Sequence, residues 1–516
     1  MDDKPVLILG AGINGAAVAR ELALNGIGVV VVDTADLAFG ATAYSSRLIH
    51  GGLRYLEYGE FSLVKESLEE RARLLTLAPQ LVQPLRLFIP SENYLGGLVQ
   101  SAARFVGLKF GSKPAPRGSL LVRFGLAMYD AYARDPRLPK RSLHQLGEPG
   151  TPRGLNPRRS SWLSAYSDCQ IVHAERIVVA FLADAQAAAQ QHGQSARMLT
   201  YHRAALEQGR VVIRPVDGGG EPLVLEPAAI INATGAWVDD ALARLPLPSR
   251  RLMGGTKGSH FITWHAGLRD QIGEAGIYAE AADGRPVFML PFPFGTLVGT
   301  TDLPFAGDPA AVVATEEEIS YLLSVVNDLF PSIGLSRGDV ALHYCGVRPL
   351  PFVDAKTPAA ITRRHHLVWN DAAPVPLVSL VGGKLTTCRS LAEETAATVL
   401  TRLGRRVAAT SRERPIPRLA FDEHLPGRDL RAAGEPAAQL PAAAARQVIR
   451  DEWVTHLDDL VERRLLLHFH PGLSRPVLRE LAAAMVAENK LAAAAGDAAV
   501  QATIDRLRSH FGRRIE

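Results

Sequence analysis

The chain has little of several things that would assign it to a class at once. Its three cysteines, Cys169, Cys345 and Cys388, lie far apart, and no two have the spacing of a metal site or a redox dithiol, so we expect a reducing compartment. No apolar run approaches the roughly 20 residues of a membrane-spanning helix, so any membrane contact must be peripheral. Residues 1–5 have no signal-peptide pattern, and we expect a cytoplasmic location. The net charge of +4 over 516 residues does not indicate nucleic acid.

Residues 6–33 have the pattern of a strand, a glycine-rich turn, a helix and a second strand. The apolar run Val6–Leu9 predicts a buried parallel strand, and patterns of a helix and a strand follow over 16–25 and 28–32, ending at Asp33. In such a unit the glycines allow a tight turn, the approach of a pyrophosphate and close helix packing, while the acid accepts from ribose hydroxyls. The segment predicts a dinucleotide site; the alternative is a glycine turn that only packs. The glycines are Gly10, Gly12 and Gly15.

Two later segments bear on which dinucleotide binds, because the fingerprint itself fits both NAD and FAD. Residues 229–237 predict a strand that ends in a glycine turn, and residues 377–381 predict a strand followed by Gly382, Gly383 and a helix through Thr395. Residues without side chains let a backbone press against a flat ring, and a helix N-terminus there would stabilise negative charge on a reduced flavin. The segments favour FAD; ordinary turns of a doubly wound sheet remain the alternative.

Four cationic side chains stand in short, unusual motifs. Arg54 lies in a glycine-containing run over 48–56, and Arg348, Arg363 and Lys384 follow in three later motifs. Arginine forks and lysines beside a cofactor site favour a small anion as ligand. A solvated surface charge is the alternative for any single cation, and it is weakest for Arg348 and Lys384, which interrupt apolar, glycine-rich segments.

The combination of these motifs resembles the FAD-dependent glycerol-3-phosphate dehydrogenase family, within the flavoproteins related to glycine and D-amino-acid oxidases. The motifs occur in the family's order and cover about residues 5–400, and those over 48–57 and 382–387 are long and specific. The matching residues are 13–15, 45–57, 166–169, 232–235, 257–260, 299–302, 346–350, 361–363 and 382–387.

The resemblance implies noncovalent FAD, oxidation of sn-glycerol 3-phosphate to dihydroxyacetone phosphate, and transfer of electrons to a membrane quinone. In this reading Arg363 and Lys384 clamp the phosphate, Arg54 and Arg348 flank the glycerol end, and Tyr55 donates to the substrate. Residues implied at the cofactor are Gly10, Gly12, Asn14, Gly15, Asp33, Ser46, Gly51, Gly52, Thr234, Gly235, Gly382, Gly383, Lys384, Leu385 and Thr386.

The chemistry also needs a base for the hydroxyl proton. His50 and His260 are the candidates because imidazole titrates in the useful range, and Arg54 and Arg348 complete the predicted catalytic set. A structural histidine, or a water or substrate hydroxyl whose pKa an arginine lowers, remains possible at this stage. The alternative functions are an oxidase that uses oxygen on glycerol 3-phosphate or another small hydroxy or amino acid, and a flavin-binding scaffold without turnover.

The predicted fold is α/β: a Rossmann-like FAD-binding domain, an antiparallel-sheet substrate or cap domain, and a C-terminal helical domain. The FAD domain is expected from 1–90 with 165–240 and 340–400, the cap region from 91–164 and 250–340, and the helical domain from 415–516. The last looks shorter than is usual in the family. Predicted elements are strands at 259–264, 287–291 and 297–301, a helix capped by Thr315, and helical spacing over 451–464.

Residues 91–123 depart from the family, which usually crosses this region with fewer residues. They combine helical apolar spacing with several basic residues, which fits either an amphipathic helix in an anionic membrane interface or an ordinary surface helix. We expect a peripheral site on the cytoplasmic face of the membrane, a possible homodimer formed through the C-terminal helices, and neither a metal nor nucleic acid as partner.

Overall fold

The computed structural model describes residues 4–92, 119–133, 135–245, 247–353, 363–424 and 442–515. Most of the predicted amphipathic segment, 93–118, lies outside them. The strands are β1 Val6–Leu9, β2 Val29–Val32, β3 Leu48–Ile49, β4 Gln83–Ser91, β5 Ser142–Gln145, β6 Trp162–Gln170, β7 Ala196–Leu199, β8 His202–Glu207, β9 Arg210–Pro215, β10 Leu223–Leu225, β11 Ala229–Asn232, β12 Thr256–Thr263, β13 Gly276–Glu280, β14 Pro286–Phe292, β15 Gly295–Gly299, β16 Leu303–Pro304, β17 Leu342–Arg348, β18 His366–Trp369 and β19 Leu377–Val381. The α-helices are α1 Ile13–Leu24, α2 Phe61–Leu77, α3 Ser119–Ala133, α4 Ala174–Gln191, α5 Val238–Ala243, α6 Ala266–Ile272, α7 Glu316–Leu329, α8 Cys388–Arg402, α9 Ala442–Asp451, α10 Arg475–Ala487 and α11 Gly496–Phe511.

A six-stranded sheet in the order β18-β19-β11-β1-β2-β7 carries the glycine-rich turn. All neighbours are parallel except β18, and Val6 of the central β1 pairs with Ala229 on one side and Val29 on the other. β1 is buried along its whole length because α1 covers one face, packed against α4 and α8. This is the predicted Rossmann-like layer, and the glycine turn lies at the carboxyl end of its central strand.

A ten-stranded sheet forms the second layer, in the order β16-β12-β15-β14-β13-β4-β6-β3, with β17 on β12 and β5 on β6. It contains the three predicted strands as β12, β14 and β15, and it is antiparallel apart from the β4–β13 pair. β3 and β4 come from residues expected in the FAD domain, so the two predicted domains exchange strands. The domain boundaries themselves stay a prediction. A separate three-stranded sheet has the order β10-β9-β8.

The C-terminal helices share a hydrophobic core with the ten-stranded sheet. Leu460 and Phe511 belong to the same buried cluster as Ile262 of β12 and Leu290 of β14. The predicted continuous helix over 451–464 is wrong: α9 ends at Asp451, Trp453 has a φ of 53°, and a π-helix then runs over Asp459–Arg464. Among the described residues, no helix is long and apolar enough to cross a membrane.

Candidate active site

A cavity of about 1380 Å³ lies where the glycine turn of the six-stranded sheet faces the ten-stranded sheet. It brings together all of the predicted site residues except Gly15 and Gly51, which are behind its lining. The sequence motifs are separated by hundreds of residues, so their convergence on one cavity is the main structural result for function.

One end of the cavity is the turn between β1 and α1. Gly10 has a φ of 97°, and a Cβ there would lie 2.6 Å from the carbonyl oxygen of Ala233. A Cβ on Gly15 would collide with the carbonyl oxygen of Gly10, so this glycine serves helix packing. Gly12 precedes α1 and provides no side-chain cap, which leaves the helix N-terminus available to an anion.

Asp33 lies beside this turn at the end of β2. Its carboxylate accepts from the amides of Ala11 at 2.7 Å and Ala35 at 2.9 Å, and burial raises its pKa to about 6. The two amides hold the carboxylate in place, and its remaining lone pairs face the cavity lining, where the ribose of a dinucleotide would donate.

The turn after β19 forms a neighbouring part of the cavity wall. Gly382 and Gly383 have φ values of 87° and 91°, and a Cβ on Gly383 would lie 2.6 Å from the side-chain Nδ2 of Asn14. The Oδ1 atom of Asn14 is buried and has no hydrogen-bond partner within the described chain. A side-chain-free cradle beside an unsatisfied acceptor fits a ring with N–H donors, so the residues present fit a flavin.

Arg348, at the end of β17, is anchored by several hydrogen bonds. It donates to Thr300 Oγ1 at 2.9 Å, to the carbonyl oxygen of Thr301 at 3.0 Å and to Asp302 Oδ1 at 3.0 Å. Arg363 makes an ion pair with the second oxygen of the same carboxylate, at 3.4 Å. Burial lowers the pKa of Arg348, yet the guanidinium stays charged at neutral pH.

Lys384 lies over the ring of Tyr55, with its Nζ 4.0 Å from the ring centroid, and donates to Ser67 Oγ at 3.4 Å. The pKa of Lys384 is lowered to about 7. Burial is the main cause and the charge of Arg363 adds to it, while Glu66 and Glu60 oppose it. Burial raises the pKa of the Tyr55 hydroxyl, and Arg363, Arg348 and Arg54 each act to lower it. Tyr55 and the four cations therefore line the same cavity, with Lys384 in contact with the Tyr55 ring.

The two candidate bases are both neutral imidazoles. His260 is buried on β12, makes a 2.8 Å hydrogen bond between its Nε2 and Ser46 Oγ, and stacks on Tyr344. Burial lowers the pKa of His260 well below its usual range, and the charge of Arg348 adds to this. Burial lowers the pKa of His50 to about 4, against the opposing effect of Asp168. The His50 amide donates to Thr386 Oγ1 at 3.1 Å.

Sequence reasoning missed the residues that hold these groups. Asp302 is not among the predicted site residues, although it lies in the motif over 299–302. Asp168, also in a quoted motif, is buried and accepts from Arg71 at 2.8 Å, from the Gly51 amide at 3.3 Å and from the hydroxyl of Tyr129. A buried carboxylate inside a motif was the available signal, and its partners are visible only once the fold is known.

Comparison with known proteins agrees with this geometry. The sequence model of the FAD dependent oxidoreductase family (DAO) matches residues 5–389. A glycerol-3-phosphate dehydrogenase of Synechocystis sp. is 36% identical over 75% of this chain and 68% of its own length. The aerobic glycerol-3-phosphate dehydrogenase of Escherichia coli is 35% identical over 76% and 72%. A D-erythritol 1-phosphate dehydrogenase of Brucella abortus is 34% identical over 75% and 72%.

Solved structures share the fold. A glycerol-3-phosphate dehydrogenase of Bacillus halodurans complexed with FAD has a TM-score of 0.70 at 20% identity, over 98% of this chain and 95% of that one. An L-alpha-glycerophosphate oxidase of Mycoplasma pneumoniae with FAD bound has a TM-score of 0.56 at 17% identity, over 81% of this chain and all of the other.

Fold and cavity thus define a flavin-dependent oxidoreductase, and its cofactor is FAD. The chain belongs to the FAD dependent oxidoreductases and, among them, to the FAD-dependent glycerol-3-phosphate dehydrogenase family. The predicted family, fold class, enzyme class and cofactor are confirmed.

Proposed function

We propose that the enzyme oxidises sn-glycerol 3-phosphate to dihydroxyacetone phosphate and passes the electrons to a membrane quinone. The observation that carries the proposal is the convergence of Arg54, Arg348, Arg363 and Lys384 on the cavity that fits FAD. Of the described carboxylates, Asp302 is in ion-pair contact with two of these cations. Guanidinium and ammonium groups that line one cavity favour an anionic substrate, because they bind phosphate oxygens well.

The phosphate fits the side of the cavity formed by Arg363 and Lys384. Arg363 is held by one 3.4 Å ion pair, and its Nη1 is buried without a hydrogen-bond partner in the described chain, so it has a donor left for phosphate oxygen. Arg348 is fixed by several bonds and is better suited to orient the glycerol hydroxyls. We place Arg54 and Tyr55 beside the substrate between them.

FAD bound in the cavity supplies the acceptor for the hydride that leaves the C2 carbon of the substrate. We assign acceptance of the hydroxyl proton to Nε2 of His260, which faces the cavity beside Ser46 and close to Arg348. A neutral imidazole accepts a proton at physiological pH, and the Arg348 charge stabilises the alkoxide character of the substrate oxygen. His50 is the competing candidate, and a His50→Asn and His260→Asn pair compared by kcat distinguishes the two.

The first test is anaerobic reduction of the purified FAD enzyme. Glycerol 3-phosphate should bleach the long-wavelength flavin band, and glycerol and D-amino acids should not. Bleaching by neither glycerol 3-phosphate nor D-erythritol 1-phosphate would contradict the proposal. Faster bleaching by D-erythritol 1-phosphate would move the substrate to the four-carbon polyol phosphate in the name of one relative.

The electron acceptor needs its own test, since a relative in fold is named an oxidase. We expect reduction of a soluble quinone analogue at many times the rate of hydrogen peroxide formation in air. Peroxide formed at the rate of substrate oxidation would support the oxidase alternative.

Sedimentation with anionic lipid vesicles tests the proposed peripheral, cytoplasmic-face location, and deletion of residues 93–118 tests whether that segment is the main anchor. Light scattering tests the proposed homodimer.

A further inference from the structure

The segment over residues 34–47, called here the wall segment, lies between the cavity and the C-terminal helices. It follows Asp33 directly, and Phe39, Thr42 and Tyr44 along it line the cavity. Of the motifs that resemble the family, only the one over 45–57 overlaps it, and only at its end. Its contacts therefore show what else helps to shape the cofactor site.

On the cavity side, the wall segment holds the glycine turn. The Ala38 amide donates to the carbonyl oxygen of Ala11 at 3.0 Å, and the hydroxyl of Thr42 accepts from the Ile13 amide at 3.1 Å. Ile13 is the first residue of α1, so Thr42 satisfies one of the donors at the N-terminus of this helix. A displacement of the wall segment would shift the turn on which a pyrophosphate is bound.

On the other side, the wall segment is tied to the π-helix over Asp459–Arg464. Asp36 is fully buried and accepts from Arg463 Nε at 2.6 Å and from two nitrogens of Arg464 at 2.8 and 2.9 Å. Its carboxylate is thus shared by two buried guanidinium groups of the C-terminal region. Removing one partner of such a pair leaves an uncompensated buried charge, so the geometry is strongly determined.

Arginines of the C-terminal region also contact the ring of Phe39. The guanidinium carbons of Arg463 and Arg506 lie 5.7 and 5.5 Å from its centroid. Arg506 on α11 also donates to the hydroxyl of Tyr44 at 3.4 Å and is fixed by two bonds to Glu462, at 2.6 and 2.8 Å. Two rings of the cavity wall therefore depend on arginines that lie outside the part of the chain matched by the family model.

We propose that Asp36, Arg463, Arg464 and Arg506 are positioning residues for FAD, through which the C-terminal helical region completes the cofactor site. The contacts order the wall segment in the absence of FAD, so the binding of FAD does not bear the entropic cost of ordering it. The inference rests on FAD binding in this cavity and is independent of the substrate.

The test compares two carboxylate-to-amide changes at buried ion pairs between the body and the C-terminal region. Asp36→Asn breaks the contact with the wall segment. Glu452→Gln breaks the pair between Glu452 and Arg176 of α4. Neither residue lines the cavity. We expect Asp36→Asn to raise the Kd of FAD, titrated into apoprotein, at least tenfold and to change the visible circular dichroism of bound flavin. Glu452→Gln should lower Tm while leaving both near the wild-type values.

An equal rise in Kd for the two variants would overturn the inference, because it would reflect general destabilisation. If Asp36→Asn does not fold, Arg506→Met replaces it, since the Arg506 side chain is 25% exposed and its loss is less damaging. We expect this variant to raise the Kd about threefold or more, and an unchanged Kd with unchanged circular dichroism would overturn the inference. Failure of the wild-type protein to bind FAD would instead refute the proposed function.

Discussion

At the scale of single residues, one carboxylate pairs with two arginines of the cavity. Asp302 pairs with Arg348 through one oxygen and with Arg363 through the other. It therefore fixes the separation of the two guanidinium groups and reduces their attraction for an anion. Orientation and affinity are thus opposed at this residue, and substitution should separate them.

We predict that Asp302→Asn lowers kcat about 100-fold, the cost of small errors in orientation, without raising KM for glycerol 3-phosphate. The loss of a negative charge should keep or tighten substrate binding. Steady-state kinetics measure both constants. Asp308→Asn is the control, because Asp308 lines the same cavity but caps a short helical turn over Pro309–Ala311. A raised KM with an unchanged kcat would show that Asp302 does not orient the arginines.

Lys384 should give substrate binding a pH dependence. Its pKa of about 7 means that it is charged below pH 7 and neutral above, and a phosphate binds the charged form. We expect KM to be flat below pH 7 and to rise above it by up to tenfold per pH unit. Lys384→Met should raise KM about 10- to 100-fold, the loss of one charge-assisted hydrogen bond, and remove the rise. Lys384→Arg, charged throughout, should remove the rise and keep a low KM; a rise that persists in Lys384→Met would assign it to another group.

Most residues that line the cavity could be predicted from the sequence, but the residues that hold them could not. Arg348 and Lys384 stand out in sequence because a charge interrupts an apolar, glycine-rich segment. Asp168 and Tyr129 do not stand out, because they act through a hydrogen bond to each other, and they lie 39 residues apart on a strand and a helix. Gly51, predicted at the cofactor, lies behind the cavity lining, and a Cβ there would meet Leu68 and Tyr129.

At the scale of secondary-structure elements, the pairing of β12 with β15 positions the proposed base. His260 lies opposite Gly299, and a Cβ on Gly299 would collide with its imidazole ring. The glycine therefore creates the space in which the ring reaches Ser46.

We predict that Gly299→Ala lowers kcat by about 100-fold or more, the usual contribution of a positioned base, because the ring of His260 must move. The flavin absorbance spectrum should stay unchanged, since Gly299 does not line the cavity. Gly496→Ala is the control: its added carbon meets nothing within 4 Å, and its activity should be that of the wild type. Wild-type kcat in Gly299→Ala would exclude a tightly positioned His260.

Elements with a strong local pattern were predicted well. β1 and β19 match their predicted limits, and Thr315 caps α7 with the expected bond to the Glu318 amide. The helix after Gly383 was predicted to end at Thr395 but continues to Arg402. The helix expected over 451–464 is interrupted, because buried contacts of Arg463 and Arg464 with Asp36 impose the local geometry. Contacts so distant in sequence leave no periodic signal.

At the scale of the whole molecule, buried neutral histidines make the fold sensitive to acid. Burial lowers the pKa of both His50 and His510 to about 4, against about 6.5 in an unfolded chain. Between these values the unfolded state binds a proton that the native state excludes. Each histidine therefore lowers the free energy of unfolding as pH falls from 6.5 to 4, by up to about 1.4 kcal/mol per pH unit.

We predict that His510→Phe reduces this loss, because the ring contacts with Tyr44 and Phe511 are kept and the titrating group is removed. Urea unfolding at pH 7.5 and pH 5 measures the effect as a difference between variant and wild type. That difference isolates His510 from Asp33 and Asp459, whose raised pKa values act in the opposite sense. A pH-independent difference would mean that His510 titrates with the same pKa in the native and unfolded states.

The bond between Asp36 and Arg464 joins residues 428 positions apart in the chain. During synthesis, Asp36 leaves the ribosome 428 positions ahead of Arg464. With the arginines in their proposed role, a nascent chain passes through a long interval with a Rossmann-like layer and an incomplete cofactor site. Flavin capture would then follow synthesis of the π-helix, and a chain terminated before Arg463 would release the flavin rather than retain it in a reactive, half-built enzyme.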